Sequence, residues 1–397
     1  MNPESTDSSV DLSPTGDGDR IAVVRDGRIS YLPAKRVELV PEVSGGGNCR
    51  YIRRSAQGDL FVAGPGVEGM LLHSQDGGHN WVTIRSEIPQ PGFMSAFTIL
   101  GDDSFLALIM PSNIRGNEQC YLARSRDYGR TWNVTEMQID LSPNCYVQGG
   151  NADILELSDG TILVTLDVKS EQEGKGPDGE VVPLQLKGIY LYAFRSRDGG
   201  HSWPERSVIT FHGAESHLLE LPSRKLLAAI RKQRNHRLPG DPLNPFDMKL
   251  QHGYRPEFDS EERRSEKDED TNRIKNTFLS ESYDGGSTWV NERQVSSFLQ
   301  CSADLTLTST GVLVLDLLHR YPDDLANTGI RSRVSDDEGQ TWRDELYVLS
   351  QGNSEDIDSG SSYPGSIAMP DGSLIMVCAN WAKERIRLEA VHWRPLA

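Results

Sequence analysis

An eight-residue pattern, S-x-D-x-G-x-[TSN]-W, occurs five times in the sequence and constrains the fold more than any other feature. We refer to each copy as a box. The five boxes contain five of the seven tryptophans, and they begin at Ser74, Ser125, Ser196, Ser282 and Ser335. Repetition at intervals of this size is typical of propellers, solenoids and arrays rather than of folds without repeats.

Each box has the composition of a tight turn between two strands. Aspartate and serine side chains bond nearby backbone N–H groups, glycine adopts a positive φ, and tryptophan packs its ring beneath the turn. We therefore expect a structural rather than a catalytic role for the five box aspartates, which are Asp76, Asp127, Asp198, Asp284 and Asp337.

A second repeat consists of two apolar segments joined by a few turn residues, and it occurs six times. The copies span residues 51–63, 93–110, 152–166, 217–230, 303–318 and 366–379. Each predicts a β-hairpin. Six hairpins and five boxes predict an all-β fold, a six-bladed β-propeller of four-stranded antiparallel blades. Residues 20–397 are predicted to form this single domain, and residues 1–19, rich in Ser, Asp, Gly and Pro, a flexible tail.

The sixth hairpin is followed only by one further strand-like segment, at 386–393. A fourth strand for this blade can come from residues 21–31, which have a strand-turn-strand pattern around Asp26 and Gly27. Joining the two ends of the chain in one blade closes the ring and removes a free sheet edge. We therefore expect residues 21–31 to supply the outer strand of blade 6.

The charge of the chain limits its partners. There are 58 acidic and 41 basic residues, a net charge of -17, which argues against nucleic acid or an anionic membrane as the main partner. No apolar run approaches the roughly 18 residues that a membrane span needs. A local cluster of arginines can still bind a small acidic molecule, so a negatively charged ligand stays compatible with the composition.

The cysteines and the N-terminal residues indicate in which cellular compartment the protein is expected. The five cysteines are odd in number and include no CxxC, so neither a disulfide framework nor a zinc site is predicted. No other metal or cofactor is predicted. Residues 1–20 have no basic segment followed by an apolar one, so a cytoplasmic location is expected unless a signal peptide was removed. The sequence does not specify an oligomeric state.

The topology of a propeller blade indicates where a site would lie. Because each box connects the third and fourth strands, the residues flanking each hairpin lie on the opposite edge. Those positions are polar, and acids, arginines and a tyrosine that converge on one channel mouth suit a polar anionic ligand. Each residue by itself is equally compatible with a solvated rim position. The positions include Arg50, Asp153, Glu215, His217, Arg231, Asp304, Arg320 and Tyr363.

The boxes and hairpins resemble the sialidase (neuraminidase) superfamily, with its Asp-box or BNR repeats, from about residue 20 onward. The resemblance implies a tyrosine nucleophile paired with a glutamate, an aspartate as acid/base and three arginines that hold a sugar carboxylate. Tyr363 opens the sixth hairpin as the nucleophile does, and Glu215 and Arg231 flank the fourth hairpin like the glutamate and the second arginine. Arg50 lies near the first arginine, although the Arg-Ile-Pro sequence of the family is replaced here by Arg50-Tyr51-Ile52.

Three positions depart from the family pattern. The third arginine would fall near Asn327, so Arg320 and Arg331 are the available substitutes. The loop that carries the acid/base aspartate contains only Glu68, which becomes the candidate acid. The glutamate that braces the first arginine would fall near residues 379–380, where no acid is present. Asp153, Asp304 and His217 are assigned to substrate binding from their rim positions.

These features predict an exo-acting, sialidase-like glycoside hydrolase whose ligand is a small acidic saccharide or glycan. Two alternatives remain open. One is a propeller hydrolase or lyase that acts on a non-sialic sugar, and the other is a glycan-binding propeller without catalysis. A hydrolase needs the tyrosine–glutamate pair and an acid, whereas a binding module needs only stacking rings and hydrogen bonds.

Overall fold

The computed structural model describes residues 19–40, 50–63, 70–110, 119–141, 145–147, 152–170, 188–234, 274–297, 300–319, 329–351, 363–382 and 385–396. These residues form 27 β-strands and no helix. The strands build six antiparallel sheets, which are the six blades of a propeller. The predicted all-β class and the number of blades are confirmed.

Three strands precede the first hairpin, and the remaining ones follow the blades in chain order. The N-terminal strands are β1 (Arg20–Arg25), β2 (Arg28–Pro33) and β3 (Lys35–Val40). Blade 1 contains β4 (Tyr51–Arg54), β5 (Leu60–Ala63), β6 (Met70–Ser74) and β7 (Val82–Arg85). Blade 2 contains β8 (Phe93–Ile99), β9 (Phe105–Met110), β10 (Cys120–Ser125) and β11 (Asn133–Met137). Blade 3 contains β12 (Cys145–Val147) and β13 (Ile154–Glu156), which both pair with β14 (Ile162–Ser170), then β15 (Gly188–Ser196) and β16 (Glu205–Phe211).

The other three blades carry the second half of the chain. Blade 4 contains β17 (Gly213–Glu220), β18 (Leu226–Arg234), β19 (Ile274–Ser282) and β20 (Val290–Gln294). Blade 5 contains β21 (Gln300–Leu307), β22 (Leu313–His319), β23 (Gly329–Ser335) and β24 (Leu346–Val348). Blade 6 contains β25 (Gly365–Ala368), β26 (Leu374–Ala382), β27 (Arg385–Trp393) and β3.

The core lies between neighbouring blades rather than at a single centre. Second strands such as β9 are buried along their whole length, because each face of the blade packs against a neighbouring blade. Outer strands such as β7 are exposed or half-buried and carry polar residues. Separate apolar clusters join adjacent blades, for example Leu60 and Val62 of blade 1 with Ile375 and Val377 of blade 6. Burial between blades therefore fixes the order of the ring.

The five boxes form turns between the third and fourth strands of blades 1 to 5. In every box the serine hydroxyl donates to the aspartate and accepts the backbone N–H of the glycine at the fifth position of the box. In blade 3 these two distances are 2.7 and 2.8 Å. The aspartate also accepts a backbone N–H four residues later at 2.8–2.9 Å. These contacts keep the box aspartates within their own turns.

The strand that closes the ring differs from the expected one. The outer strand of blade 6 is β3, which pairs with β27, and not the segment 21–31. That segment forms the hairpin β1–β2, and β1 pairs with β24, so the sheet of blade 5 has six strands. The hairpin binds there because Ile21 and Val23 pack into the apolar cluster between blades 5 and 6. The two ends of the chain close the ring, as predicted, but the closing strand is β3 rather than the segment 21–31.

Candidate active site

Tyr363, Glu215 and Arg231 meet at the mouth of the channel, on the edge opposite the boxes. The hydroxyl of Tyr363 donates to Oε1 of Glu215 at 2.7 Å. The guanidinium of Arg231 forms an ion pair with the same carboxylate oxygen. The three residues come from blades 4 and 6, so the ring itself brings them together.

A β-bulge in the first strand of blade 4 aims Glu215 at the tyrosine. Ala214 pairs with Arg231 and Ser216 with Ile230, so the register skips Glu215, whose φ is 50°. A positive φ is strained for a residue with a side chain, and such strain concentrates at functional sites. The bulge therefore turns the side chain of Glu215 out of the regular alternation of the strand.

A matching bulge in blade 5 supplies a second partner for this carboxylate. Ser302 has a φ of 54° and lies in the irregular register between Cys301 and Asp304. Its hydroxyl donates to Oε2 of Glu215 at 2.9 Å. Both oxygens of Glu215 thus have hydrogen-bonding partners, which fixes the orientation of the carboxylate beside Tyr363.

Arg50 lies against the tyrosine from blade 1. Its guanidinium carbon is 5.7 Å from the centre of the Tyr363 ring, and its Nη2 donates to the carbonyl of Ser216. The residue is 1% exposed. Arg50 therefore adds positive charge beside the ring and connects blade 1 to the strand that carries Glu215.

The charged groups of this cluster shift one another's pKa values. Burial works against the charge of Arg231, but the adjacent carboxylate of Glu215 outweighs it, so the pKa of Arg231 lies above its ordinary value. Nε of Arg231 is buried and has no hydrogen-bond acceptor among the residues that the structure describes. Arg231 thus remains a cation beside Tyr363, and the exposed part of its side chain could meet an anion.

Asp167 of β14 adds a second carboxyl group to the cluster. Burial raises its pKa to about 7, and the neighbouring negative charge of Glu215 adds to the shift, while Arg231 opposes it. The cluster therefore contains two carboxyl groups in different environments: Glu215 is ion-paired with Arg231, whereas buried Asp167 keeps its proton to a higher pH than an exposed aspartate does.

Asp153, His217 and Asp304, assigned to substrate binding from the sequence, lie deeper and connect successive blades. Asp153 of blade 3 accepts the N–H of Leu218 in blade 4 at 2.7 Å, and Nδ1 of His217 accepts the N–H of Leu305 in blade 5 at 3.2 Å. We call the three residues the inter-blade belt. Their exposure is 7% or less, so these contacts indicate a structural role, and their contact with a ligand stays a prediction.

The belt continues into blade 6 by the same relation. Asp304 of blade 5 accepts the backbone N–H of Ser366 at 3.0 Å, and it lies 3.1 Å from Nε2 of His217. Because Nδ1 of His217 accepts a backbone N–H, its ring is neutral, in agreement with a pKa that burial lowers to about 4. Blade 6 has Gly365 at the equivalent position, where any side chain would collide with the backbone of Arg50.

Three candidate residues from the sequence remain, and the structure describes one of them. Arg331 is buried in blade 5, where it donates to the carbonyl groups of Ile330 and Ser350 at 3.2 and 2.8 Å. Glu68 and Arg320 lie outside the described residues, so the candidate acid and one substitute for the third arginine stay predictions. Within the described ranges, no group of three or more His, Cys, Asp or Glu could hold a metal ion, and no helix could span a membrane.

Sequence reasoning did not name Ser302, and it placed Asp167 only among the polar rim positions of blade 3, without a role in the site. Ser302 precedes Asp304 by two positions, as Glu215 precedes His217, so aligning the repeats would have placed it beside Glu215. Asp167 follows the third hairpin and resembles any rim residue in the sequence.

Comparisons with known proteins support the architecture. No protein-family model matches the sequence, and no match is found among curated proteins. A protein of unknown function from Dyadobacter fermentans has a similar structure, with a TM-score of 0.59 and 14% identity over 91% of this chain and 99% of its own. The Trypanosoma rangeli sialidase in complex with the inhibitor DANA has a TM-score of 0.53 and 15% identity over 90% of this chain. This chain covers 59% of that sialidase chain.

A third similar structure is the Penicillium chrysogenum alpha-L-arabinanase complexed with arabinobiose. Its TM-score is 0.54, with 11% identity over 89% of this chain and 97% of its own. Identities this low establish the fold alone, and one propeller fold supports several glycoside hydrolase activities. The chain therefore has the fold of propeller glycoside hydrolases.

Proposed function

We propose that the protein is a glycoside hydrolase that removes a terminal acidic sugar, in the manner of a sialidase. The observation that carries this proposal is the 2.7 Å hydrogen bond from the hydroxyl of Tyr363 to Glu215, on the same oxygen that Arg231 contacts. A phenol is a weak nucleophile and needs an adjacent base. The ion pair with Arg231 favours the carboxylate form of Glu215, which can accept the phenol proton.

The reaction proceeds in two steps. The oxygen of Tyr363 attacks the anomeric carbon while its proton passes to Glu215, the glycosidic C–O bond breaks, and an acid protonates the leaving oxygen. Water then attacks the same carbon, the conjugate base of that acid takes the water proton, and Tyr363 leaves and regains its proton from Glu215. Tyrosine nucleophiles are a known exception to the two-carboxylate pattern of glycosidases. Glu68 stays the candidate acid.

The local charge supports an acidic sugar. Arg50 and Arg231 bring two positive charges to the tyrosine, and Glu215 brings one negative charge, in a chain whose overall charge is -17. The buried Nε of Arg231 has no acceptor within the described ranges. The Arg231 side chain is 16% exposed, so a sugar carboxylate would have to meet the exposed part of this side chain, where it could form a charge-assisted hydrogen bond.

Hydrolysis of two fluorogenic substrates tests the proposal. Wild type should release 4-methylumbelliferone from its α-sialoside and not from its α-L-arabinofuranoside. Tyr363→Phe should lower this turnover by about 10³-fold or more while binding of DANA stays within about threefold, because the ring remains and the nucleophile is lost. Tyr283→Phe is the matched control, since Tyr283 is an exposed tyrosine that also donates to a glutamate, Glu281, on the box side of blade 4.

Other results would favour the alternatives. Release from the arabinoside but not the sialoside indicates a hydrolase for a non-sialic sugar. Binding of DANA without turnover of either substrate indicates a glycan-binding module. Equal turnover by wild type and Tyr363→Phe removes the tyrosine mechanism.

A further inference from the structure

Two buried aspartates lie side by side in blade 5. Asp304 of β21 and Asp316 of β22 are partners in the antiparallel ladder, and Ser332 of β23 is the partner of Asp316 on the other side. Residues that are directly paired share a face of the sheet, so the three side chains form one row. All three are buried. Carboxyl groups that are opposite one another and away from water are unfavourable unless hydrogen-bond donors compensate them.

Donors from blades 4, 5 and 6 compensate these two carboxyl groups. Nε2 of His217 lies 3.1 Å from Oδ1 of Asp304, whose Oδ2 accepts the backbone N–H of Ser366 at 3.0 Å. The hydroxyl of Ser366 donates to Oδ2 of Asp316, and the hydroxyl of Ser332 donates to Oδ1. Burial raises the pKa of Asp316 to about 6, and the two hydroxyls oppose the rise because they favour the carboxylate. One residue of blade 6, Ser366, thus binds both carboxyl groups.

Ser366 anchors the segment that carries Tyr363. It lies in β25, three residues after the tyrosine, and both its backbone N–H and its hydroxyl bind blade 5. Pro364 has a fixed φ and also restricts the conformation of the tyrosine before it. Gly365 lies so close to blade 1 that a Cβ atom on it would be 1.7 Å from the carbonyl oxygen of Arg50. The segment is therefore held between blades 5 and 1, and a shift of Ser366 is transmitted to the tyrosine.

The strand β21 of blade 5 holds both sides of the tyrosine–glutamate pair. Ser302 of this strand donates to Glu215 at 2.9 Å, and Asp304, two residues further on, accepts the N–H of Ser366. The hydroxyl of Tyr363 meets Glu215 at 2.7 Å. A movement of Ser366 relative to β21 therefore changes the distance between the phenol and its base.

We propose that Asp316 and Ser366 are positioning residues for Tyr363: the carboxylate of Asp316 holds the hydroxyl of Ser366 and so sets the distance from the phenol oxygen to Glu215. The effect on turnover rests on the proposed function, whereas the effect on the hydrogen bond between Tyr363 and Glu215 does not. Both residues act through the backbone of the segment and not on the substrate. Their loss should therefore slow the chemical step more than it weakens ligand binding.

Two alanine variants each remove one donor from the same carboxylate. Ser366→Ala removes the hydroxyl bond between blades 6 and 5 and keeps the backbone N–H that Asp304 accepts. Ser332→Ala is the matched control, because this hydroxyl binds the other oxygen of Asp316 from within blade 5. Only Ser366→Ala should displace Tyr363.

The kinetic effects should separate the two serines. With the 4-methylumbelliferyl α-sialoside, Ser366→Ala should lower kcat by about 10–100-fold and leave the Kd of DANA within about threefold of wild type, because a displaced nucleophile removes no ligand contact. Ser332→Ala should change either quantity by less than about twofold. Equal kcat values for the two variants overturn the proposal. If Ser366→Ala does not fold, Ser366→Cys takes its place in the same comparison, since a thiol fills the volume and is only a weak donor.

Melting temperatures test the positioning without a substrate. Tyr363→Phe removes the phenol hydroxyl, and the change in melting temperature that it causes should fall to about half or less in the Ser366→Ala background, where the bond to Glu215 is already weakened. In the Ser332→Ala background the change should equal that in wild type. Additive effects of Tyr363→Phe and Ser366→Ala overturn the proposal. If wild type hydrolyses neither fluorogenic substrate, the proposed function fails, and this double-mutant cycle alone decides whether Ser366 positions Tyr363.

Discussion

The hydroxyl of Tyr363 and the carboxylate of Glu215 are joined at 2.7 Å across 148 positions of sequence. The tyrosine precedes blade 6 and the glutamate belongs to blade 4, so blade 5 separates them in the ring. Their contact therefore depends on the curvature of three consecutive blades. A change that loosens the packing between these blades should weaken this contact before it unfolds the protein.

Glu215→Gln tests the base directly. The amide can still bond Tyr363 and Ser302, but it cannot accept the phenol proton, so turnover should fall by about 10²–10⁴-fold. Arg231 would also lose its counter-charge, which should lower the free energy of unfolding by up to about 3–5 kcal/mol. Initial rates and urea unfolding measure the two effects.

Glu220→Gln is the control for this substitution. Glu220 lies on the same strand and bonds Ser158 at the far end of the blade, away from Tyr363. The Glu220→Gln variant should keep wild-type turnover. Comparable rates in Glu215→Gln and Glu220→Gln would show that Glu215 is not the base.

Asp304→Ala distinguishes the two roles of the inter-blade belt. The change leaves the N–H groups of Ser366 and His217 without their acceptor, which should cost about 1–3 kcal/mol for each. If the belt is structural, the folded variant should bind DANA as wild type does. A strongly raised Kd with an unchanged melting temperature would instead support the substrate-binding role assigned from the sequence.

Asp198→Ala tests the boxes. Asp198 accepts the N–H groups of His201 and Ser202 at 3.0 and 2.9 Å, and its loss should lower the free energy of unfolding by about 1–3 kcal/mol without changing turnover. Asp198→Asn keeps one acceptor oxygen and should retain more of this stability. Normal melting with abolished ligand binding would contradict the structural role.

Acid should destabilise the protein through the same turns. Hydrogen bonds within the boxes lower the pKa values of Asp127 and Asp337 to about 2. A lowered pKa means that the unfolded chain binds the proton more strongly, so this stability is present above about pH 4 and is lost as the pH falls from there towards about 2. Replacing both aspartates by asparagine should flatten the dependence of the melting temperature on pH in that range. A dependence unchanged from wild type would assign acid unfolding to other carboxyl groups.

The closing strand can be tested at one apolar position. Leu39 of β3 is 4% exposed and packs into the cluster between blades 6 and 1, so Leu39→Ala should cost about 2–5 kcal/mol. Leu396→Ala, at an exposed leucine, should change stability by less than about 0.5 kcal/mol. An equal melting temperature for the two variants would mean that β3 contributes little to the ring.

The sequence was sufficient for the architecture because the repeats are local. Each box and each hairpin carries its own turn residues and its own alternation, so six blades follow from counting. The prediction of the closing strand was wrong because residues 21–31 and 35–40 both have a strand-like pattern. Only the packing of Ile21 and Val23 into the apolar cluster between blades 5 and 6 decides which blade each segment joins.

The site was predicted only in part. Tyr363, Glu215 and Arg231 were predicted together because the topology places their positions at one mouth, although the bulge that orients Glu215 was not predicted. The depth of Asp153 and Asp304 was not foreseeable, since a position beside a hairpin can face the channel or the next blade. The contact of Ser302 with Glu215 depends on a bulge in each strand, and only a comparison of the repeats would have suggested it.

The pairing of β3 with β27 has a consequence for the order of synthesis. A ribosome completes Lys35–Val40 long before Trp393, so the early strand must wait for almost the whole chain before its partner exists. Until then it is an exposed edge that can pair with other chains. The ring therefore cannot close before Trp393 has been synthesised, and the time during which the early strand can aggregate is set by the synthesis of all the blades between β3 and β27 rather than by any single blade.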